Sequence, residues 1–236
     1  PNTPEMVIGH FAVPLAGGVL VAINSRLSRA EVEYILIHSG ARILVIDAEL
    51  LATHGDLSFT VPSIETVIEV PDPEFGDPGG HVQGEQVSYR EYLARSEQSG
   101  EEVQWFIEDE RAPISINYTS GTTGKPKGVV YTHRGAYLNA LGEIIHQQLT
   151  PGSRYLWTLP MFHCNGWCFP WTLAVQAGTH VCLRWVRAKA MYDAIADHGV
   201  THLCGAPIVM SMLLNAADED KRKFAQTVSF NTAAAP

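Results

Sequence analysis

Apolar and polar positions along this chain switch between a helical period and short apolar runs. Ser28-Arg-Ala-Glu31 is a capping-box pattern; it opens an amphipathic helix that runs through His38 and stops at Gly40. Ile43 to Asp47 is a short apolar strand ending in a carboxylate, and Thr66 to Val70 is another. Before them, Phe11 to Ile23 reads as buried helix and strand. Residues 71–88 are rich in proline, glycine and charge and read as a surface excursion. Tyr89 to Ser99 follows as a helix of polar type.

From Ala112 the pattern tightens. Strands are expected at Ile114–Tyr118, Val129–Thr132, Tyr155–Leu159, His180–Trp185, Thr201–Cys204 and Thr227–Phe230. Helices are expected at Gly135–Leu149, Trp167–Gln176, Ala188–His198 with Gly199 as its C-cap, and Pro207–Ala217. Strands separated by helices of about ten residues predict an α/β fold of mostly parallel sheets flanked by helices. The organisation falls into residues 1–111, which include the surface excursion, and residues 112–236, a sheet region. No internal repeat or low-complexity segment interrupts it.

The 236 residues suit one large domain or two small ones, and 46% hydrophobic with 17% charged residues is a globular composition. No apolar stretch approaches the roughly 20 residues of a membrane helix. The net charge of -9 leaves no basic excess for nucleic acid or anionic lipid, so any anion site must be local. Cys164, Cys168, Cys182 and Cys204 all lie in apolar surroundings, the pattern of buried free thiols. A metal reading of His163, Cys164 and Cys168 lacks a second ligand pair at zinc spacing. The chain opens on proline, with no signal peptide after it, and stops directly after a strand-like run at Ala233-Ala-Ala-Pro236. Both ends read as cut, so a fragment is expected.

One loop concentrates chemistry. INYTSGTTGKPKG, residues 116–128, sits between apolar runs. Successive backbone N–H groups of a glycine-rich turn can converge on an anion, and Gly121 and Gly124 permit the positive φ angles this needs. Thr119, Ser120, Thr122 and Thr123 add hydroxyls, as donors or as ligands for a hard cation, and Lys125 and Lys127 add charge. Such a loop suits a polyphosphate. It is not the common NTPase loop: counted from Gly121, the second glycine of that pattern falls on Pro126, and the β-branched run after Gly128 predicts strand–loop–strand. A surface hairpin with a polar tip is the plainer reading; two lysines and flanking buried strands weigh against it.

The unbroken YTSGTTGKPKG of residues 118–128 resembles the signature loop of the adenylate-forming superfamily: acyl-CoA synthetases, luciferases and nonribosomal-peptide adenylation domains. LPMFHCNGW, residues 159–167, resembles the P-x-F-H segment of the acyl-CoA synthetase branch. TAAAP, residues 232–236, is similar to the family turn that lies against adenine, with Ala234 where the family usually has glycine. The text from Pro1-Asn-Thr-Pro4 through Asn24-Ser-Arg-Leu27 to Asp47 is similar to fatty-acyl and aryl-acid CoA ligases. The resemblance runs the length of the chain.

It implies part of the N-terminal domain of the acyl-CoA synthetase-like fold, and a reaction in two steps. A carboxylate attacks the α-phosphorus of MgATP and pyrophosphate leaves; the acyl group then passes to the thiol of CoA. On that resemblance Thr119 to Lys127 cradle the β- and γ-phosphates. Thr119 would be the hydroxyl nearest Mg²⁺; Ser120, Thr122 and Thr123 would bind phosphate oxygens, and Lys127 would contribute field. Ala234, Ala235 and Pro236 would lie against adenine. His163 would orient the carboxylate where acid and ATP meet, the alternative being a strand-end histidine satisfied by backbone. Asn165 and Gly166 would let the backbone turn close to substrate. Trp167 would wall the acyl pocket, with core packing as its alternative. Trp157, Trp171 and Trp185 are left to packing. No Y-G-x-T-E segment, later ribose-binding aspartate, hinge or lysine-bearing C-terminal domain is present in these residues, so the chain alone is expected not to turn over. The intact protein, possible homodimer in form, would act on a medium- or long-chain fatty acid or an aryl acid in the cytoplasm. An amino-acid adenylation domain is the runner-up; an NTPase or phosphotransferase and a non-catalytic nucleotide sensor are the other classes.

Overall fold

The computed structural model describes residues 1–55, 57–71, 85–100, 102–103, 106–119 and 125–233. The chain forms two compact units: Pro1–Ala22, Ile107–Asn117 and Val130–Pro236 make the larger, Ile23–Phe106 and Tyr118–Val129 the smaller.

In the smaller unit helix α2 (Arg29–Ser39) starts at the expected capping box, where the Ser28 N–H donates to Glu31 Oε2 at 2.9 Å. It ends at Gly40, whose φ of 67° strains any residue with a Cβ. Strands β2 (Ile43–Asp47), β3 (Thr66–Val70) and β4 (Glu85–Ser88) form a parallel sheet in that order. Val32 and Leu36 of α2 pack with Leu44, Ile46, Leu51, Leu57 and Val67 to make the core. Two elements depart from expectation. Asp47 does end β2, but its carboxylate accepts from the Glu49 N–H at 3.1 Å and caps a further helix, α3 (Ala48–His54). The polar Glu85–Ser88, expected within an irregular excursion, pairs with β3; residues 72–84 lie outside the described residues. Helix α4 (Tyr89–Ser99) is capped by Ser88 and buries no residue, as its polar pattern predicts.

In the larger unit α1 (Pro4–Leu15) leads to β1 (Leu20–Val21), which pairs in parallel with β5 (Pro113–Thr119). The helix begins earlier than expected and buries only His10 completely. β6 (Lys127–Thr132) lies beside β5, so the signature loop joins neighbouring strands, as its composition predicts. A second sheet has the order β10 (Ser229–Thr232), β9 (His202–Gly205), β7 (Arg154–Leu156), β8 (Thr179–Val181), all parallel. Helices α5 (His133–Gln147), α7 (Phe169–Val175), α8 (Ala188–His198) and α9 (Pro207–Leu214) link these strands. Successive residues of a strand face opposite ways, and β7 shows the result. Tyr155 packs with Phe169 and Leu173 of α7, whereas Leu156 packs with Met191 and Ile195 of α8. The central strands are therefore covered on both faces, as parallel sheets require.

The helix expected from Trp167 is a correction. Right-handed helix begins only at Phe169, with Pro170 in its first turn. The preceding turn, α6 (Cys164–Trp167), is left-handed. Trp185 is a second correction: it is 44% exposed, between the guanidinium groups of Arg184 and Arg187 at 5.5 and 5.7 Å. Among the described residues no helix is long and apolar enough to cross a membrane.

Candidate active site

The segment from Leu159 to Cys168 leaves β7 and is fastened from afar. Asn2 is buried; its amide Nδ2 donates to the Trp157 and Leu159 carbonyls at 2.8 and 3.0 Å, and its Oδ1 accepts from the Met161 N–H at 2.9 Å. From β5, Asn117 Nδ2 donates to the Phe162 carbonyl at 2.8 Å, and the Ser115 hydroxyl donates to Asn165 Oδ1 at 2.8 Å. Ser115 and Asn117 share one face of an otherwise apolar strand.

These bonds hold a strained turn. Backbone φ lies between 49° and 65° at Cys164, Asn165, Gly166, Trp167 and Cys168. Left-handed backbone costs a residue with a Cβ about 1–2 kcal/mol, so four such residues within five positions need strong support. Glycine is required at 166 for a second reason: a Cβ there would stand 2.4 and 2.8 Å from ring atoms of Trp157. Gly166 thus makes room for a buried tryptophan, and Asn165, fully buried, turns its amide inward to Ser115. Trp157 itself is core, with its ring plane within 3° of that of His180 and its Nε1–H donating to His180 Nδ1 at 3.0 Å.

His10 completes the support. Burial pushes its imidazole down to about 4, so the ring is neutral at physiological pH. Nδ1 lies 2.7 Å from the Met6 carbonyl and must carry the proton, which leaves Nε2 as an acceptor. Among the described residues, His10 Nε2 and Asn165 Nδ2 are both buried without a hydrogen-bond partner of normal geometry. Trp171, half-buried, packs edge-on against His10 and donates its Nε1–H to the His10 carbonyl at 3.1 Å. Sequence reasoning missed Asn2, His10, Ser115 and Asn117. Only the last two left a trace, as polar residues two apart in an apolar strand.

His163 precedes the left-handed turn with its side chain exposed. Its Nε2 lies 3.9 Å from Cys164 Sγ, a weak contact that leaves the ring open to a ligand. Beside it is a hollow of ≈ 470 Å³ lined by Tyr131, Asn139 and Glu143 on one side and Cys164, Trp167 and Cys168 on the other. Burial, then the Cys164 thiol, pushes the Tyr131 phenol up to about 12, and burial pushes Cys168 up to about 11. Both groups stay uncharged near neutral pH. Another hollow of the same unit, ≈ 530 Å³, shares no lining residue with it and none with the His163 segment. Burial also raises Cys182 and Cys204 to about 12, which keeps them as unreactive thiols.

In the smaller unit Thr119 ends β5 with its side chain exposed, and Lys125 and Lys127 are exposed on the far side of the loop. Lys125 Nζ stands 6.0 Å from the centre of the Tyr34 ring. Ser120, Gly121, Thr122, Thr123 and Gly124 lie outside the described residues, as do Ala234, Ala235 and Pro236. Among the described residues no three His, Cys, Asp or Glu side chains are grouped to hold a metal ion. A hydroxyl such as that of Thr119 suits a hard cation as one ligand among several.

Comparison with known proteins follows the same lines. The model of the AMP-binding enzyme family matches residues 1–235. An acetate–CoA ligase of Humulus lupulus is 41% identical over 231 residues, which cover 93% of this chain and 40% of the ligase. A peroxisomal benzoate–CoA ligase of Arabidopsis thaliana is 41% identical over 227 residues, covering 93% of this chain and 39% of that protein. The chain thus spans about 40% of the length of these curated relatives. Among solved structures, the anthranilate CoA ligase AuaEII in complex with anthranoyl-AMP matches with a TM-score of 0.76 at 24% identity, over 92% of this chain and 40% of that one. At that identity the likeness establishes the fold.

Proposed function

We propose, on the premise that this chain belongs to the AMP-binding enzyme family, that the protein carrying it is an ATP-dependent acid–CoA ligase. It joins a carboxylic acid to AMP with loss of pyrophosphate and then passes the acyl group to the thiol of CoA. The observation that carries this reading is the exposed His163 imidazole beside a hollow walled by Trp167, in which burial keeps the Tyr131 phenol and the Cys168 thiol uncharged. The Trp167 wall of that hollow receives an alkyl or aryl group, and the ring at its edge receives the carboxylate.

Adenylation brings two anions together, so the protein must supply positive potential and oriented donors. We assign the triphosphate to Thr119, Ser120, Gly121, Thr122, Thr123, Gly124, Lys125 and Lys127. The Thr119 hydroxyl is our ligand for Mg²⁺, which shields the phosphates when bound. His163 orients the attacking carboxylate, worth orders of magnitude in rate when the near-attack geometry is held. Asn165 and Gly166 shape the turn behind it, and Trp167 walls the acyl pocket. Ala234, Ala235 and Pro236 are assigned to adenine. The relatives' names give acetate for one and benzoate for the other, so alkyl and aryl acids both belong in the substrate panel.

The test is acid-dependent exchange of labelled pyrophosphate into ATP by the full-length protein, with acetate, butyrate, a long-chain acid and benzoate. Exchange with at least one acid, and none from this stretch alone, is the expected result. Release of ADP without exchange would overturn the reading in favour of a phosphotransferase. For the compartment we propose the cytoplasm, on the demand for ATP and CoA; the benzoate ligase named above is peroxisomal, and imaging a fluorescent fusion of the full-length protein decides between the two. Light scattering of the same protein tests the homodimer.

A further inference from the structure

We propose that one face of α2 clamps both stems of the signature loop and thereby sets the affinity for the nucleotide triphosphate; this rests on the adenylating reading above. Tyr34 and His38 stand one turn apart on α2, their rings 5.5 Å apart and within 24° of parallel. His38 Nδ1 and the Tyr118 hydroxyl share a hydrogen bond of 2.7 Å, with the two rings edge to face at 5.7 Å. Tyr118 immediately precedes Thr119, where the loop begins. On the returning side, the Tyr34 hydroxyl donates to the Pro126 carbonyl at 3.5 Å, and its ring lies 6.0 Å from the Lys125 ammonium. One pair of side chains therefore touches residue 118 and residues 125 and 126.

The helix beneath is itself fixed. Val32, Ile35 and Leu36 are buried, and Gly40 closes the end. His38 is exposed, so its bond to Tyr118 contributes little to the core. Its value lies in preorganisation: stems already held in place lose less freedom when a ligand binds, and affinity rises accordingly. Burial, then the neighbouring Tyr34, raises Tyr118 above the usual phenol range, so its hydroxyl remains a neutral partner for the imidazole. A hydrogen bond of this kind changes an equilibrium by about fivefold.

The test measures, on the full-length protein, the Kd of a non-hydrolysable ATP analogue with Mg²⁺ by calorimetry, together with KM and kcat for exchange. His38→Leu and Tyr118→Phe should each weaken analogue binding and raise KM for ATP about fivefold, with KM for the acid and kcat changed less than about twofold. The double variant should be no weaker than either single one, because both remove the same bond. His38→Gln, whose amide oxygen can accept the Tyr118 proton, should recover most of the affinity. Tyr34→Phe, which loses only the long bond to Pro126, should cost about twofold. Unchanged analogue affinity in the single variants, additive losses in the double, or equal rises in KM for acid and ATP would each overturn the clamp. If the wild type binds the analogue but exchanges with no acid, the adenylating reading fails, and the calorimetric comparison still decides the clamp.

Discussion

The two segments with the strongest sequence signatures are secured in opposite ways. Leu159–Cys168 is tied by buried polar side chains from Asn2, Ser115 and Asn117 and holds left-handed backbone at every residue from Cys164 to Cys168. The stems at Tyr118 and at Lys125–Pro126 are touched by half-buried Tyr34 and exposed His38. A buried polar bond is expensive to break, because its partner is left without water; an exposed one is not. The first arrangement makes a rigid template whose damage appears as lost stability. The second makes an adjustable support whose damage appears as lost affinity.

The sharpest way to break the contrast is Gly166→Ala. The new methyl meets the Trp157 ring at 2.4 Å, in backbone with φ of 55°. Overpacking and left-handed strain together should destabilise by about 4 kcal/mol. Urea unfolding of the full-length protein measures it; a loss below about 1 kcal/mol would mean that the turn is not tight. Next comes acid. A histidine ionises at 6.5 in the reference state and His10 at about 4 in the fold, so folding favours its neutral ring. That contribution is present in full above about pH 6.5 and is lost as pH falls toward 4, on the order of 3 kcal/mol. His10→Gln should flatten the stability profile in that window relative to wild type, and parallel profiles would refute the assignment.

His163→Ala turns the comparison on its template side. The ring is exposed, so unfolding should shift by less than about 0.5 kcal/mol. Exchange activity should fall about 100-fold, because an unguided carboxylate loses its attack geometry. A loss of stability instead would return His163 to the strand-end reading.

The two segments also differ in what a sequence can reveal. The signature loop is legible because its chemistry is local: glycines, hydroxyls and lysines must be neighbours to surround one anion. The ends of α2 and α8 are legible for a similar reason, since Gly40 and Gly199 take left-handed φ where each helix stops. The acid segment is only half legible. Its motif is contiguous, but Asn2 acts on carbonyls more than 150 positions away, and no periodicity announces that. The Trp167–Gln176 run looks helical throughout because apolar spacing is blind to handedness; Pro170 marks where the right-handed helix can begin. β4 is hidden by the polar Glu85, Gln86 and Ser88 that surround the buried Val87. α3 is hidden because Asp47 serves at once as the end of a strand and the cap of a helix.

The smallest effect belongs to the adjustable side. Lys125 is exposed, with its ammonium 6.0 Å from the Tyr34 ring, near the limit of a cation–π contact. At an exposed site that contact is worth about 0.5 kcal/mol, so Lys125→Gln should leave unfolding nearly unchanged. Its charge still faces solvent beside the proposed triphosphate, and KM for ATP should rise about threefold at low salt. At about 0.5 M salt screening should shrink the difference between variant and wild type toward nothing, whereas the loss in Tyr118→Phe should persist because it removes a hydrogen bond. The pair of salt titrations therefore separates field from position within one loop. Equal salt dependence in both variants would mean that Lys125 and Tyr118 act by one mechanism, and the distinction between a charged tip and clamped stems would fall.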